Sequence, residues 1–280
     1  MKVALVTDGA SDLPADIALA RGIEIAPHHV IWGTQVYTDG INMTNTAFYE
    51  RLMRDPQLPK TSQPSAGEFA DKYRAARESH HAEAVLCITT SHQITGAYNS
   101  ALLARDMVDF PVEVLDSQTA TIPLGLAVLV AADACERDAP LAEVMAIAQR
   151  AASQSRFFFT LDTLDFLYRG GRIGNAKRLI GMALSIKPML HIEAGAVAAG
   201  GSVRTRKAAL ARLLDIAAEY KDKRPLRVGV IHSIAPEVDE FSERLRALLQ
   251  PDQFIQTLAC SPVGVYAGPR GLGFGLVYGV

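Results

Sequence analysis

Cysteine, tryptophan and long runs of one charge are what this chain has least of, and each scarcity excludes something. Cys87, Cys135 and Cys260 lie far apart among apolar neighbours with no Cys-x-x-Cys pair. A disulfide framework is therefore excluded, and buried free thiols are expected. Seven histidines show no His-Glu-x-x-His or comparable spacing, so no metal and no cofactor are assigned. Lys and Arg number 28 against 30 Asp and Glu, a formal net charge of −2. With no basic run to meet a phosphate backbone, nucleic acid is not expected as a partner. The longest apolar stretch, TIPLGLAVLVAADAC (121–135), is too short for a membrane span and carries Asp133. Only transient membrane contact is compatible with it. The opening residues MKVALVTDGASDLP reach an aspartate and a proline too soon for a signal peptide. They read as a strand and a loop, and the expected location is the cytoplasm.

What is present is an alternation. KVALVTD (2–8), AEAVLCITTS (82–91) and VEVLDS (112–117) read as buried strands, and IEIAPHHVIWG (23–33) as another extended segment. Helical patterns stand between them: ADIALARG closed by Gly22, TNTAFYERLMRD (44–55), the segment after Pro64, TGAYNSALLARDMV (95–108), and then 123–136 and 140–153. Strands alternating with helices argue for a parallel sheet covered on both faces. From about residue 155 hairpins mix with helices. SRFFFTLD (155–162) reads as a strand, 163–186 as helical with a Gly-Gly break, 187–201 as a hairpin and 203–220 as a long helix. A strand at 226–233 and a helix at 236–249 follow, and 254–280 reads as closing strands. The fold class is α/β in two domains. An N-terminal α/β/α parallel-sheet domain spans 1–154, and a C-terminal α+β domain with its own mainly antiparallel sheet spans 155–280.

In such sheets ligands sit beyond the carboxyl ends of the strands. The loops there, TDGASD (7–12), TTSHQITG (89–96) and DSQTATIP (116–123), are rich in small hydroxyl residues and poor in charge. Such residues make turns and caps; several such loops at one edge also suit a polar, mostly uncharged pocket. The stretch TSQPS (61–65) adds to it. Ser65 and Glu68 fit a capping box for the next helix, which leaves Thr61, Ser62 and Gln63 without a helical role. Pro64 serves either to enter the helix or to hold Thr61 in place.

The chain resembles the DegV family of bacterial fatty-acid-binding proteins from end to end. The resemblance rests on VTDGASDLP (6–14), TSQPS (61–65), TGAYNSA (95–101), DSQTATIPLG (116–125), TLDFLYRGGRIG (163–174), SIKPML (185–190), VRTRKAAL (203–210) and YAGPRGLG (266–273). It implies one long-chain fatty acid, such as palmitate, stearate or oleate, in a tunnel between the domains. It also implies a non-catalytic carrier, in some members the acyl-carrying subunit of fatty acid kinase. Residue by residue, it puts the carboxylate on Thr61 and Thr95, with Ser62 and Gly96 beside them. Gly96 would open a helix whose free N–H groups favour an anion. Arg172, Arg204 and Arg206 would form a cationic rim or a partner-facing surface, although Arg204 also reads as a solvated helix start. The family's carboxy-terminal motif usually carries a histidine where this chain has Tyr266, and a glycine where it has Arg270. Tyrosine still donates a hydrogen bond but cannot carry a proton near neutral pH, which puts partnership with a kinase in question.

Neutral donors suit a carboxylate that must keep an oxygen accessible, whereas an Arg fork would occupy both. Two readings compete with the carrier. One is a phosphoryl or acyl transferase using Asp8, His92 or Asp116 at the sheet edge, although neither a nucleophile elbow nor a dinucleotide fingerprint is present. The other is a structural or regulatory member that has lost its ligand.

Overall fold

Residues 2–179 and 186–280 are described by the computed structural model. The first half runs β1 (Val3–Asp8), α1 (Ala15–Ala20), β2 (Ile23–Ala26), β3 (His29–Trp32), β4 (Gln35–Thr38), α2 (Asn45–Leu52), β5 (Lys60–Ser62), α3 (Ala66–His80), β6 (Ala84–Thr89), α4 (Ala97–Arg105), β7 (Val112–Asp116), α5 (Ile122–Glu136) and α6 (Leu141–Ser153). The second runs β8 (Ser155–Thr160), α7 (Asp165–Arg169), β9 (Lys187–Glu193), β10 (Ala196–Val203), α8 (Arg206–Ala218), β11 (Leu226–His232), α9 (Val238–Leu249), β12 (Gln253–Leu258), α10 (Ser261–Ala267) and β13 (Leu272–Tyr278).

The parallel sheet has the order β2-β1-β6-β7. Every residue of β1 and β6 is buried, as continuous apolar strands covered on both faces must be. Phe69, Tyr73 and Ala76 of α3 and Ala97, Ala101 and Ala104 of α4 pack on one face, against Val6, Val85 and Cys87. Helix α5 covers the other face. It is apolar all round, and the reason is its position, because it lies between two sheets. The second sheet has the order β10-β9-β8-β13-β11-β12, antiparallel except between β11 and β12. Its α5-facing side is cut back by glycine. A Cβ on Gly229 would stand 2.1 Å from Ile122 Cγ1, and one on Gly275 would stand 2.4 Å from Pro123 Cγ. Helices α8 and α9 cover its far face through Ala209, Leu213, Phe241 and Leu245. Layers thus alternate helix, sheet, helix, sheet, helix, and the chain leaves the first sheet after Asp116, crosses by α5 and α6, and enters the second at Ser155.

Several sequence expectations need correction. The segment 23–33 is not one strand: Pro27 and His28 break it, so β2 joins the parallel sheet while β3 joins a small sheet, β4-β3-β5. Residues 163–179 are not a broken helix. They hold α7 and a 3-10 turn over Gly174–Leu179; 180–185, where the expected helix would continue, lie outside the described residues. The helix expected from 203 starts at Arg206, because Val203 still pairs with Lys187 and the Thr205 hydroxyl accepts from the Ala208 N–H. The closing segment is not all strand, since α10 separates β12 from β13.

Candidate functional site

Parallel strands put their carboxyl ends at one edge, and hydrogen bonds knit the loops that leave it. Asp8, fully buried, accepts from the Ala10 N–H at 3.0 Å, the Thr90 N–H at 2.7 Å and the Thr90 hydroxyl at 2.8 Å. Ser91 N–H donates to the Thr119 carbonyl, and Thr121 N–H to that of Ala10. Thr121 pays for this closure with φ at +58°, a conformation a β-branched residue rarely adopts.

Between this edge, β5, α10 and the second sheet lies a cavity whose space, open mouth included, is about 1000 Å³. Most of its wall is apolar. Phe157, Phe159 and Leu161 point into it from β8 and the residue beyond, on the period of two that a strand imposes. The intervening Phe158 turns to Phe274 and Tyr220 instead. Leu167, Ile192, Val197, Ile231 and Val263 complete the apolar lining.

The polar groups are few and close together. The Thr61 and Tyr266 hydroxyls lie 2.5 Å apart. The Arg172 guanidinium sits 4.9 Å from the Tyr266 ring centroid and donates to the carbonyls of Ile94 and Gly170. His28 Nε2 lies 3.4 Å from Thr95 Oγ1, and its Nδ1 stands 3.9 Å from Asp8 Oδ1. Burial pushes the His28 imidazole below the ordinary histidine range, with Asp8 opposing. His232, at the end of β11, is also lowered by burial. Three buried atoms of the lining residues have no partner: Thr121 Oγ1, His28 Nδ1 and His232 Nδ1. Neutral donors, one guanidinium and two imidazoles in a mostly apolar cleft can hold a long apolar molecule with a small anionic head.

Of the residues singled out in the sequence, Thr61, Thr95, Tyr266 and Arg172 line this cavity. Ser62 does not; it pairs with His29 across β5 and β3. Gly96 caps α4, and the Gln63 amide fills the space its Cβ would take, 2.8 Å from Gln63 Nε2. Ser65 and Glu68 form the capping box. Arg204 is exposed just after β10, and Arg206 turns to Glu237. Asp8 is occupied by the hydrogen bonds given above. Asp116 accepts from the Gln118 N–H and pairs with the His92 Nδ1 at 2.5 Å; neither residue lines the cavity. Gln63, left without a helical role in the sequence, lines it too; Thr90, Thr121 and His28 line it and were not singled out. His28 had a readable signal, because Pro27 ends a strand of the same sheet and so puts His28 at the same edge.

Among the described residues no helix is long and apolar enough to cross a membrane, and no three His, Cys, Asp or Glu side chains gather as a metal site.

The sequence model of the DegV family matches residues 2–279. A DegV domain-containing protein from Deinococcus radiodurans is 37% identical, over 99% of this chain and 98% of its own length. The solved structure of a fatty-acid-binding DegV family protein from Thermus thermophilus is 31% identical with a TM-score of 0.91, over 99% of this chain and 100% of that one. DegV from Bacillus subtilis, a fatty acid binding protein, is 29% identical with a TM-score of 0.89, each chain covered completely. A stearic acid-binding protein from Eubacterium ventriosum is 27% identical with a TM-score of 0.89, over 99% of this chain and 98% of that one.

Proposed function

We propose that this chain, which belongs to the DegV family, holds one long-chain fatty acid in the cavity between its two larger sheets, with the carboxylate at Thr61, Thr95 and Tyr266. The observation that carries this reading is the wall itself: a mostly apolar cavity in which the Thr61 and Tyr266 hydroxyls meet. Each buried methylene contributes about 0.8 kcal/mol. An acyl chain of about sixteen carbons therefore contributes on the order of 10 kcal/mol, before the several kcal/mol lost in ordering and association. The head group needs only to be oriented, and hydroxyl donors with one guanidinium suffice. Arg172 lies close enough to the cluster to neutralise the carboxylate.

The finer reading is a non-catalytic carrier of the cytoplasm that presents palmitate or a similar acid to a separate fatty acid kinase, with Arg204 on the partner-facing surface. Unpaired thiols at Cys87, Cys135 and Cys260 suit a reducing compartment. The two units divide at 154/155. Mixing the loaded protein with a kinase subunit and ATP should form acyl phosphate, and none would form if the protein only stores or transports its ligand. The transferase alternative has no supporting geometry, because Asp8 is saturated with donors and the His92–Asp116 pair does not face the cavity.

The direct test is protein purified without added lipid, extracted into organic solvent and analysed by mass spectrometry. A retained fatty acid is expected. Protein that emerges empty and also ignores added palmitate and oleate overturns the proposal.

A further inference from the structure

His28 is a polar residue in this cavity whose partners on both sides are defined. Its ring is 4% exposed and lies over Gly9, where a Cβ would stand 3.6 Å from Nδ1. Nδ1 has no hydrogen-bond partner and faces the buried Asp8 carboxyl at 3.9 Å; Nε2 faces Thr95 Oγ1 at 3.4 Å. That arrangement selects a tautomer. A bare Nδ1 lone pair towards Asp8 is unfavourable, so the neutral ring carries its proton on Nδ1 and leaves Nε2 as an acceptor. The Thr95 hydroxyl then gives its one proton to His28 and has none to offer a ligand.

We propose that His28 takes up a proton when the carboxylate binds, and that this switches Thr95 from donating to the imidazole to donating to the ligand. The inference rests on the fatty-acid reading above. The balance is simple: one proton leaves the buffer and forms the Nε2–H bond. That N–H donates to Thr95 Oγ1, and the Thr95 hydroxyl rotates to donate to the carboxylate. No covalent bond in the ligand changes. The other charged groups around the ring are His29, beside it in the chain, and Glu68 of α3, which holds His29 at 2.9 Å. Burial lowers the His28 pKa and so favours the neutral ring, with Asp8 opposing; an arriving carboxylate adds negative charge that favours the imidazolium. The cavity would then bind its anion together with a proton.

The test is calorimetric titration of the delipidated full chain with palmitate, in two buffers of different ionisation enthalpy. Wild type should take up a proton near neutral pH, with affinity rising by up to about tenfold per unit as the pH falls through the histidine range. His28→Asn, which cannot ionise, should bind palmitate without that uptake. Nitrogen-15 spectra of histidine-labelled wild type provide a second readout that needs no variant: the His28 ring should change from neutral to imidazolium on adding palmitate. Binding with no proton uptake, or uptake unchanged in His28→Asn, or a ring that stays neutral, overturns the inference and leaves the fatty-acid reading standing. Wild type that does not bind palmitate sinks both, and the absence of binding identifies that outcome.

Discussion

The hydroxyls of Thr61 and Tyr266 meet at 2.5 Å across 205 residues of chain. One stands on a strand of the small sheet and the other on α10, so the contact joins the first half of the fold to the last helix at the cavity wall. Two hydroxyls sharing one hydrogen bond leave a single proton free to point elsewhere, and a carboxylate is the partner that would use it. Thr61→Val and Tyr266→Phe each keep the shape and delete the hydroxyl. Each should weaken palmitate binding by roughly 1.5–3 kcal/mol, the range for a hydrogen bond to a charged group, and the double variant by clearly less than the sum. Strict additivity by calorimetry would mean that the pair does not act on the ligand as a unit.

Ser65 is only two residues beyond Gln63 in the cavity wall, yet its job differs. Its hydroxyl accepts from the Glu68 N–H at 3.2 Å, and Glu68 accepts from the Ser65 N–H at 2.8 Å. Ser65→Ala should lower stability by about 1 kcal/mol in denaturant titration, with palmitate affinity unchanged. A loss of affinity comparable to that of Thr61→Val would assign the serine to the ligand instead.

Two glycines should respond to alanine with opposite signs. Gly275→Ala drives a methyl to 2.4 Å from Pro123 Cγ, between α5 and the second sheet. Neither element can retreat without opening the buried interface, so a loss of roughly 1–3 kcal/mol is expected. Gly67, in the first turn of α3, has only Ser65 Oγ near its missing Cβ, at 3.9 Å. Gly67→Ala should stabilise by up to about 1 kcal/mol through helix propensity. Equal melting temperatures for the two variants would contradict the packing derived for α5.

The parts of the fold legible in the sequence were those whose residues pattern locally. Continuous apolar strands at 2–8 and 82–91, the all-apolar helix after Pro123 and the capping box at Ser65 declare themselves within a few residues. The small sheet does not, because β5 is three residues long and pairs with β3 across β4, α2 and the loops between them. Helix α10 was hidden by its seven-residue length and by Gly264; tertiary contacts hold it, including the Ser261 N–H donating to Asn45 Oδ1 at 3.0 Å. Of the site, Thr61, Thr95 and Tyr266 were reached through resemblance, whereas the loop rule alone gave only the edge. His28 was missed because reading 23–33 as one extended segment left out the loop that Pro27 and His28 form. The apolar wall was missed for another reason: the inward turn of Phe157 and Phe159 depends on which face of β8 meets the cavity, a tertiary fact.

Asp12 supplies the remaining prediction. One carboxyl oxygen accepts from the Cys260 N–H at 2.7 Å, and the other is buried without a partner. Burial pushes this carboxyl up to about 7; the Cys260 hydrogen bond opposes it, and Asp39 and Asp8 add to the rise. A folded-state value above the ordinary carboxylate range means that the folded protein holds a proton that the unfolded chain has released. Stability from Asp12 is therefore greatest in acid and declines as the pH climbs from about 4 to about 7, by at most about 1.4 kcal/mol per unit. His28 and His232, lowered by burial, act in the opposite sense, losing stability as the pH falls below the unfolded histidine value. The comparison that cancels them is wild type against Asp12→Asn, which keeps a carbonyl oxygen for Cys260 and cannot ionise. Urea unfolding from about pH 5 to about pH 8 should show wild type losing ground to the variant up to about 7 and running parallel above it. A constant difference across that range would mean that Asp12 is not protonated in the folded protein near neutral pH.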